Sequence, residues 1–503
     1  MTVALPEKFG SFDTLTTVAA PDASSERIRG LIFNSLVRKT ESYDYVGELA
    51  QDIKTSDDGK VITFTLRDGV KFHNGQAFTS ADVKYTFDEL FKSDGKNSSF
   101  KSGAFFDTVS IGKSDSPSAA PSPTKANTAS NPADQVKTKR VPHIISIETP
   151  DPKTVVFTIA RVGLRNQLLS NLVAIPIVAS GTAGQLKDSP IGSGPFKFIS
   201  FDASQNTVEL AANMEYWDGA PKIPTLRVKT VTDATSLQAE LQTGGVDIAP
   251  NPTNLPPDML KSISNSGNMK LDQFDGSNIQ YLLFNTQQAP LNNPKIRQAI
   301  GYAIDRQKIV TQLLLDQARL AHSILPPESW AYSPGHQYDY DPAKAKQLIQ
   351  EAGYKNEPIV FKYGSGNAAV SQYSQAIQNS LTEVGLTVQI ETLDRPTIVA
   401  QLAQGQFQMY TGIWVGGNQD PIFLRNLFSS TMIPSAVVPC CNRGRYQNTD
   451  VDILLEDAMN EIDRTKAKEL YSKSWQTISD EMPMLPLWYP ANIVISNKRI
   501  GNI

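Results

Sequence analysis

Two cysteines are all that the 503 residues contain, and they are adjacent: Cys440 and Cys441. Their Cα atoms lie about 3.8 Å apart across a trans peptide, below the usual disulfide range of about 4.4–6.8 Å. A ring between them would be strained; two reduced thiols or a metal site are the other readings. Histidine is equally scarce. His73, His143, His322 and His336 are scattered and form no H-x-x-x-H or C-x-x-C pattern, so surface or hydrogen-bonded structural roles suit them better than metal ligation. No apolar run reaches the roughly 18 residues of a membrane-spanning helix. The opening MTVALPEKFG has neither the charged start nor the long apolar stretch of a signal peptide. This leaves a cytoplasmic protein or a chain whose signal has been removed. A basic excess is missing too: the net charge is −4 and no run of five basic residues occurs, which argues against nucleic acid as a partner.

Catalytic signatures are also absent. There is no G-x-S-x-G elbow, Walker A loop, H-E-x-x-H or dinucleotide-binding glycine set. The stretch "GSGNAA" at 364–369 lacks a third glycine and a downstream acid. The acidic pairs Asp88/Glu89 and Asp480/Glu481 fall on predicted helices, where a solvated face accounts for them. No period of 20–50 residues repeats, which excludes a solenoid or propeller.

What is present reads as a soluble globular chain, 40% hydrophobic and 19% charged. At roughly 100–200 residues per domain, the length predicts two to four domains or two large lobes. One segment differs in composition. Residues 113–139, "KSDSPSAAPSPTKANTASNPADQVKTK", are nearly free of large apolar side chains and read as an exposed insertion. Elsewhere strands and helices mix. In "SDDGKVITFTLRDG" (56–69) an Asp-Gly turn precedes a strand with Ile62, Phe64 and Leu66 on one face. "FTSADVKYTFDELF" (78–91) has a capping-box spacing from Thr79 to Asp82, with Val83, Phe87, Leu90 and Phe91 on one helical face. Asn293 before Pro294, and Asp341 before Pro342, each predict a capped helix start. Two amphipathic helices follow over 450–463 and 464–482.

Several long stretches resemble one family, the bacterial solute-binding proteins of ABC importers of the dipeptide/oligopeptide type, family 5. They are "GELAQDIKTSDDGKVITFTLRDGVKFHNGQAFTSADVKYTFDEL" (47–90), "PIGSGPFKFISFDASQNTVELAANMEYWDGAPKIPTLRVKTVTDATSLQAELQTGGVDI" (190–248), "LLFNTQQAPLNNPKIRQAIGYAIDRQKIV" (282–310) with "DYDPAKAKQLIQEAGY" (339–354), and "NTDVDILLEDAMNEIDRTKAKELYSKSWQTISDEMPMLPLWY" (448–489). They are co-linear and cover nearly all of the chain outside 113–139.

The resemblance implies an α/β, two-lobed periplasmic-binding-protein-like fold of class II, with a hinge and an inter-lobe ligand cleft. It implies one lobe core from 1–44, 185–272 and 488–503, an extra subdomain over 45–184, and a second lobe over 273–487. The apolar runs 276–285 and 482–496 would carry the hinge. It implies no catalysis, no cofactor, export to the periplasm or to a lipid anchor on the cell surface, a monomer, and delivery of a small solute to a membrane ABC permease. That solute is a peptide or peptide-like compound. An oligosaccharide, an opine-like compound or a metal chelate is the alternative, as is a ligand-presenting adaptor to a sensor. A carbohydrate-active enzyme is a third reading.

The family's peptide binders carry a loop like G-W-x-G-D-x-x-D-P, whose acid pairs with the ligand's ammonium. Here the loop is Gly412, Ile413, Trp414, Val415, Gly416, Gly417, Asn418, Gln419, Asp420, Pro421, and Gly417 stands where the acid would be. A buried ammonium without a carboxylate would be poorly compensated. Asp420 is the nearby acid, with a helix cap as its simpler role. The resemblance marks Trp414, Gly417, Asn418 and Gln419 as ligand contacts, together with Ser24 and Ser25 in "PDASS" and Tyr363, Ser365 and Asn367 in "YGSGN".

Overall fold

The computed structural model describes residues 1–13, 15, 23–92, 100–110, 138–265, 267–416, 419–435 and 441–501. Of the predicted insertion 113–139, all but the last two residues lie outside the described ones. The described chain on either side forms an antiparallel pair, Phe106–Ser110 with Thr138–Pro142.

Two large sheets organise the chain into two lobes. In the first the strand order is Phe196–Asp202, Thr207–Ala212, Thr225–Thr230, Thr2–Leu5, Ile248–Pro250, Asn492–Asn497, Met269–Phe274. In the second it is Ala318–Leu320, Met484–Pro490, Ile279–Phe284, Met409–Trp414, Ile359–Gly364, Val388–Leu393. A four-stranded antiparallel sheet, Ala50–Thr55, Val61–Leu66, Thr154–Ile159 and Ile144–Asp151, belongs with the first. Its alternation follows the strand period: Ile62, Phe64 and Leu66 are buried while Thr65 between them is exposed. Those side chains join Val208, Leu210 and Val228 of the seven-stranded sheet in one core. The second lobe has its own core around Leu282, Phe284, Phe361 and Trp488.

The chain passes between the large sheets through residues 275–278 and again through Ala491 alone. The strands on the second-lobe side, Ile279–Phe284 and Met484–Pro490, pair with each other and are buried along nearly their whole length. That is why they read as continuous apolar runs rather than alternating ones. Gly276 packs so closely on the other crossing that an added Cβ would lie 1.7 Å from the Pro490 carbonyl oxygen. Only glycine lets the two crossings run side by side at this separation.

The helix starts follow their caps. Asn293 accepts from the Lys295 amide, and Asp341 from the Lys344 amide, at the heads of Pro294–Ala303 and Pro342–Glu351. At Thr79 the Asp82 carboxylate accepts both the Thr79 amide and its hydroxyl, so the hydroxyl serves the acid rather than the helix backbone. No helix among the described residues is long and apolar enough to cross a membrane.

Candidate functional site

The first lobe reaches the second through a short hairpin. Val37–Lys39 pairs antiparallel with Tyr45–Gly47, and the register sets Lys39 directly opposite Tyr45. The turn between them is held by Thr40, whose hydroxyl accepts from the Asp44 amide, and by Tyr43 in the left-handed region. Cross-strand partners point to the same face of a hairpin. Lys39 and Tyr45 accordingly extend together toward two consecutive residues of the other lobe. The Lys39 ammonium donates to Gln419 Oε1 at 3.1 Å, and the Tyr45 hydroxyl donates to Asp420 Oδ2 at 2.5 Å.

Asp420 is buried, and its second carboxylate oxygen accepts from the Ile422 amide at 2.9 Å. The helix over Ile422–Phe428 begins one residue later than the Asp-Pro step suggests, with Pro421 in the flanking position. Asp420 thus serves the helix start and the other lobe at once. Burial raises the Tyr45 phenol above its ordinary pKa, and the Asp420 charge raises it further, which keeps the hydroxyl a donor. Burial lowers the Lys39 ammonium, and Asp420 opposes that shift.

Two further contacts flank this one. Arg464 pairs with Asp44 and lies over the Trp330 ring at 4.9 Å. Arg161 stands 2.9 Å from Asp107 in its own lobe and 3.7 Å from Glu456 in the other. Gly163 sits where a Cβ would meet Asn460 Oδ1 at 2.8 Å, so the turn 162–164 lies tight against the end of the helix Thr449–Asn460. Half-exposed ion pairs of this kind contribute about 0–1 kcal/mol each. The lobes are therefore closed on one another by contacts that are individually weak, apart from the Tyr45–Asp420 bond.

These contacts enclose a cavity of about 230 Å³ with walls from both lobes. Tyr43, Tyr45, Arg165 and Asn166 come from the first lobe, and Trp330, Asp420, Glu461 and Arg464 from the second. Val162, Leu169, Met459 and Ile462 add apolar surface, and a pocket of mixed lining with aromatic walls between two lobes suits a small solute that carries both apolar and hydrogen-bonding groups.

The sequence-derived candidates fall in three places. Trp414 ends a strand, stacks near Tyr281 at 6.4 Å and 22°, and meets Phe423 edge-on at 5.2 Å. Its Nε1 is buried without an acceptor, and the Arg443 guanidinium lies 5.7 Å from its ring. Gln419 donates to Ser277 Oγ at 2.8 Å, and the Gly416 amide donates to Asn278 Oδ1 at 3.1 Å. The loop is thereby tied to the crossing at 275–278. Gly417 and Asn418 lie outside the described residues. Ser24 and Ser25 are fully buried in the helix Ala23–Ile32, and Ser25 Oγ accepts from the Gly10 amide at 2.9 Å. Tyr363, Ser365 and Asn367 stand at a strand-to-helix junction of the second lobe. Tyr363 bonds Ser371 through its hydroxyl, the Ser365 amide donates to the Leu393 carbonyl, and Asn367 caps the helix Ala368–Glu383 by accepting from Val370. Of the described ones, Gln419 is the chain neighbour of Asp420 in the cavity wall, and Trp414, Ser24, Ser25, Tyr363, Ser365 and Asn367 are not among the residues that line it. Cys441 is disulfide-bonded, which removes the reading of two reduced thiols; Cys440 lies outside the described residues.

Sequence reasoning missed Tyr43, Tyr45, Arg165, Asn166, Trp330 and Arg464. The Lys39/Tyr45 spacing across a Thr-Glu-Ser-Tyr-Asp turn was a local hint of a hairpin. Nothing local marked which residues of the other lobe it would meet.

Comparison with known proteins bears on this geometry. The model of the family described as bacterial extracellular solute-binding proteins, family 5 Middle, matches residues 44–434. The chain is 28% identical to a heme-binding protein A of Haemophilus influenzae, over 95% of this chain and 84% of that one. It is also 28% identical to a glutathione-binding protein of Salmonella typhi, over 95% of this chain and 87% of that one. Among solved structures it resembles the ABC transporter substrate-binding protein CtaP of Listeria monocytogenes, with a TM-score of 0.80 at 22% identity, covering 99% of this chain and 94% of that one.

Proposed function

The chain belongs to family 5 of the bacterial extracellular solute-binding proteins, and on that premise we propose that it captures a peptide or peptide-like solute between its lobes and delivers it to a membrane ABC permease. The observation that carries this reading is the cavity walled by both lobes, next to two side-by-side crossings of the chain. A solute touching both walls favours the closed form by its differential contacts, and the weak inter-lobe bonds leave that balance within its reach. The family is one of binding proteins rather than enzymes. Export to the periplasm or to a lipid anchor on the cell surface, and a monomeric state, accompany the proposal. So does a division of the chain into lobes at 275–278 and 491. A glutathione-binding relative supports a peptide-like ligand.

In this reading the loop Trp414, Gly417, Asn418 and Gln419 meets the ligand beside the cavity, and Ser24, Ser25, Tyr363, Ser365 and Asn367, which do not line the cavity, would be contacts only for a solute that extends past it. Gly417 leaves the ammonium end of a peptide without the family's usual acid. The Asp420 carboxylate in the cavity wall takes that part, because an ionised carboxylate has room for more than the two donors it now accepts. Isothermal titration with trialanine, followed by small-angle scattering with and without it, tests the proposal. Saturable binding to one site with the peptide recovered unchanged is expected. Failure of every tripeptide tried, with a neutral oligosaccharide raising the melting temperature instead, overturns it.

A further inference from the structure

The cavity wall holds a cation that no acid among the described residues pairs with. Arg165 opens the helix Arg165–Val173, directly after the turn packed on Asn460, and its guanidinium is half-buried. Among the described residues it has no acidic partner and no hydrogen-bond acceptor. Burial lowers its pKa, and so does the neighbouring Arg464 charge. None of the acids in the wall pairs with Arg165. Asp44 holds Arg464, Asp420 accepts from Tyr45 and Ile422, and Glu461 accepts from the Asp463 amide. Asn166, the next residue, also lines the cavity, and its side-chain amide has no partner among the described residues.

A guanidinium is donor-only, permanently charged and planar, so the group that satisfies it is an anion with two parallel acceptor oxygens. A half-buried cation beside a second one costs free energy until such an anion arrives. Arg165 and Asn166 both line the cavity of about 230 Å³. We infer that Arg165, assisted by Asn166, is a carboxylate subsite that receives the C-terminal or side-chain carboxylate of the captured solute. The inference rests on the solute-capture reading of the same cavity and names the chemistry that the ligand must carry. With Asp420 supplied by the second lobe it gives the cavity a direction: carboxylate toward the first lobe, ammonium toward the second.

The test compares trialanine with trialanine amide by isothermal titration on the wild type, Arg165→Gln and Arg165→Lys. The two ligands differ in the charge of one end. The wild type is expected to bind the free acid at least about tenfold more tightly than the amide, as fits a charge-assisted bidentate pair. Arg165→Gln binds the two alike, and Arg165→Lys keeps a reduced preference because it retains the charge without the fork. Equal affinities in the wild type, or a preference unchanged in Arg165→Gln, overturn the carboxylate subsite and leave the peptide reading standing. Binding of neither ligand by the wild type overturns both. The wild-type comparison needs no variant, so a folding defect in Arg165→Gln leaves the test intact.

Discussion

Replacing Tyr45 by Phe removes one hydroxyl and nothing else from the lobe contact. The ring stays, and with it the Lys39 ammonium 5.7 Å from the ring centre. The bond lost is an O–H donor to a buried carboxylate at 2.5 Å across the cleft. Hydrogen bonds to charged groups contribute about 1.5–3 kcal/mol net of solvation. In the open form both the phenol and Asp420 return to water, so that whole amount belongs to closure. The closed-to-open ratio should fall by roughly 10- to 150-fold, and ligand affinity by the same factor where the open form dominates without ligand. Titration of trialanine into wild type, Tyr45→Phe, Asp420→Asn and the double variant gives the coupling directly. Scattering profiles of the ligand-free proteins report the opening. Affinity within twofold of wild type for Tyr45→Phe, or strict additivity of the two substitutions, would refute the idea that this bond holds the lobes together.

Burial pushes the His73 imidazole down to about 4 from an ordinary 6.5, with the Gly194 carbonyl partly opposing. The unfolded chain takes up this proton below about 6.5 and the folded one only near 4, so stability should fall by about 3 kcal/mol as pH drops through that window and level off below it. Urea titrations should show His73→Gln flattening that slope; parallel slopes would contradict it. Arg306 is buried and donates to the carbonyls of Ala321, Pro486 and Tyr338 at 2.7, 2.7 and 2.8 Å. Arg306→Leu strands all three and should cost about 3–5 kcal/mol by thermal or denaturant unfolding; a loss under 1 kcal/mol would mean water replaces it. Gly276→Ala sets a Cβ against the Pro490 oxygen, so the crossings must part. The ligand-free scattering profile should change and the melting temperature drop, whereas an unaltered profile would show that the crossings tolerate separation.

The parts of the fold that were legible in the sequence are those fixed by neighbours in the chain. Asn293–Pro294 and Asp341–Pro342 announced their helices because a cap and a preset φ act within one turn. Ile62, Phe64 and Leu66 announced a half-buried strand because the pleat alternates faces. The apolar runs that cross between lobes also stood out, since strands buried on both faces need no alternation. The cavity was different. Lys39 and Tyr45 are paired by a hairpin, but their partners Gln419 and Asp420 lie some 375–380 positions away. Arg165 looks like any surface arginine at a helix start until the facing lobe half-buries it. Asp420 read as a cap because capping is local, and its second oxygen meets a residue that only the closed form supplies.

Native mass spectrometry of the full chain with a mixed tripeptide library tests the central claim most directly. Capture between the lobes predicts one-to-one adducts, enriched in peptides with a free carboxylate, weakened together by Tyr45→Phe and released intact on denaturation. An absence of peptide adducts, peptides bound at several sites regardless of charge, or peptides released as fragments would contradict it.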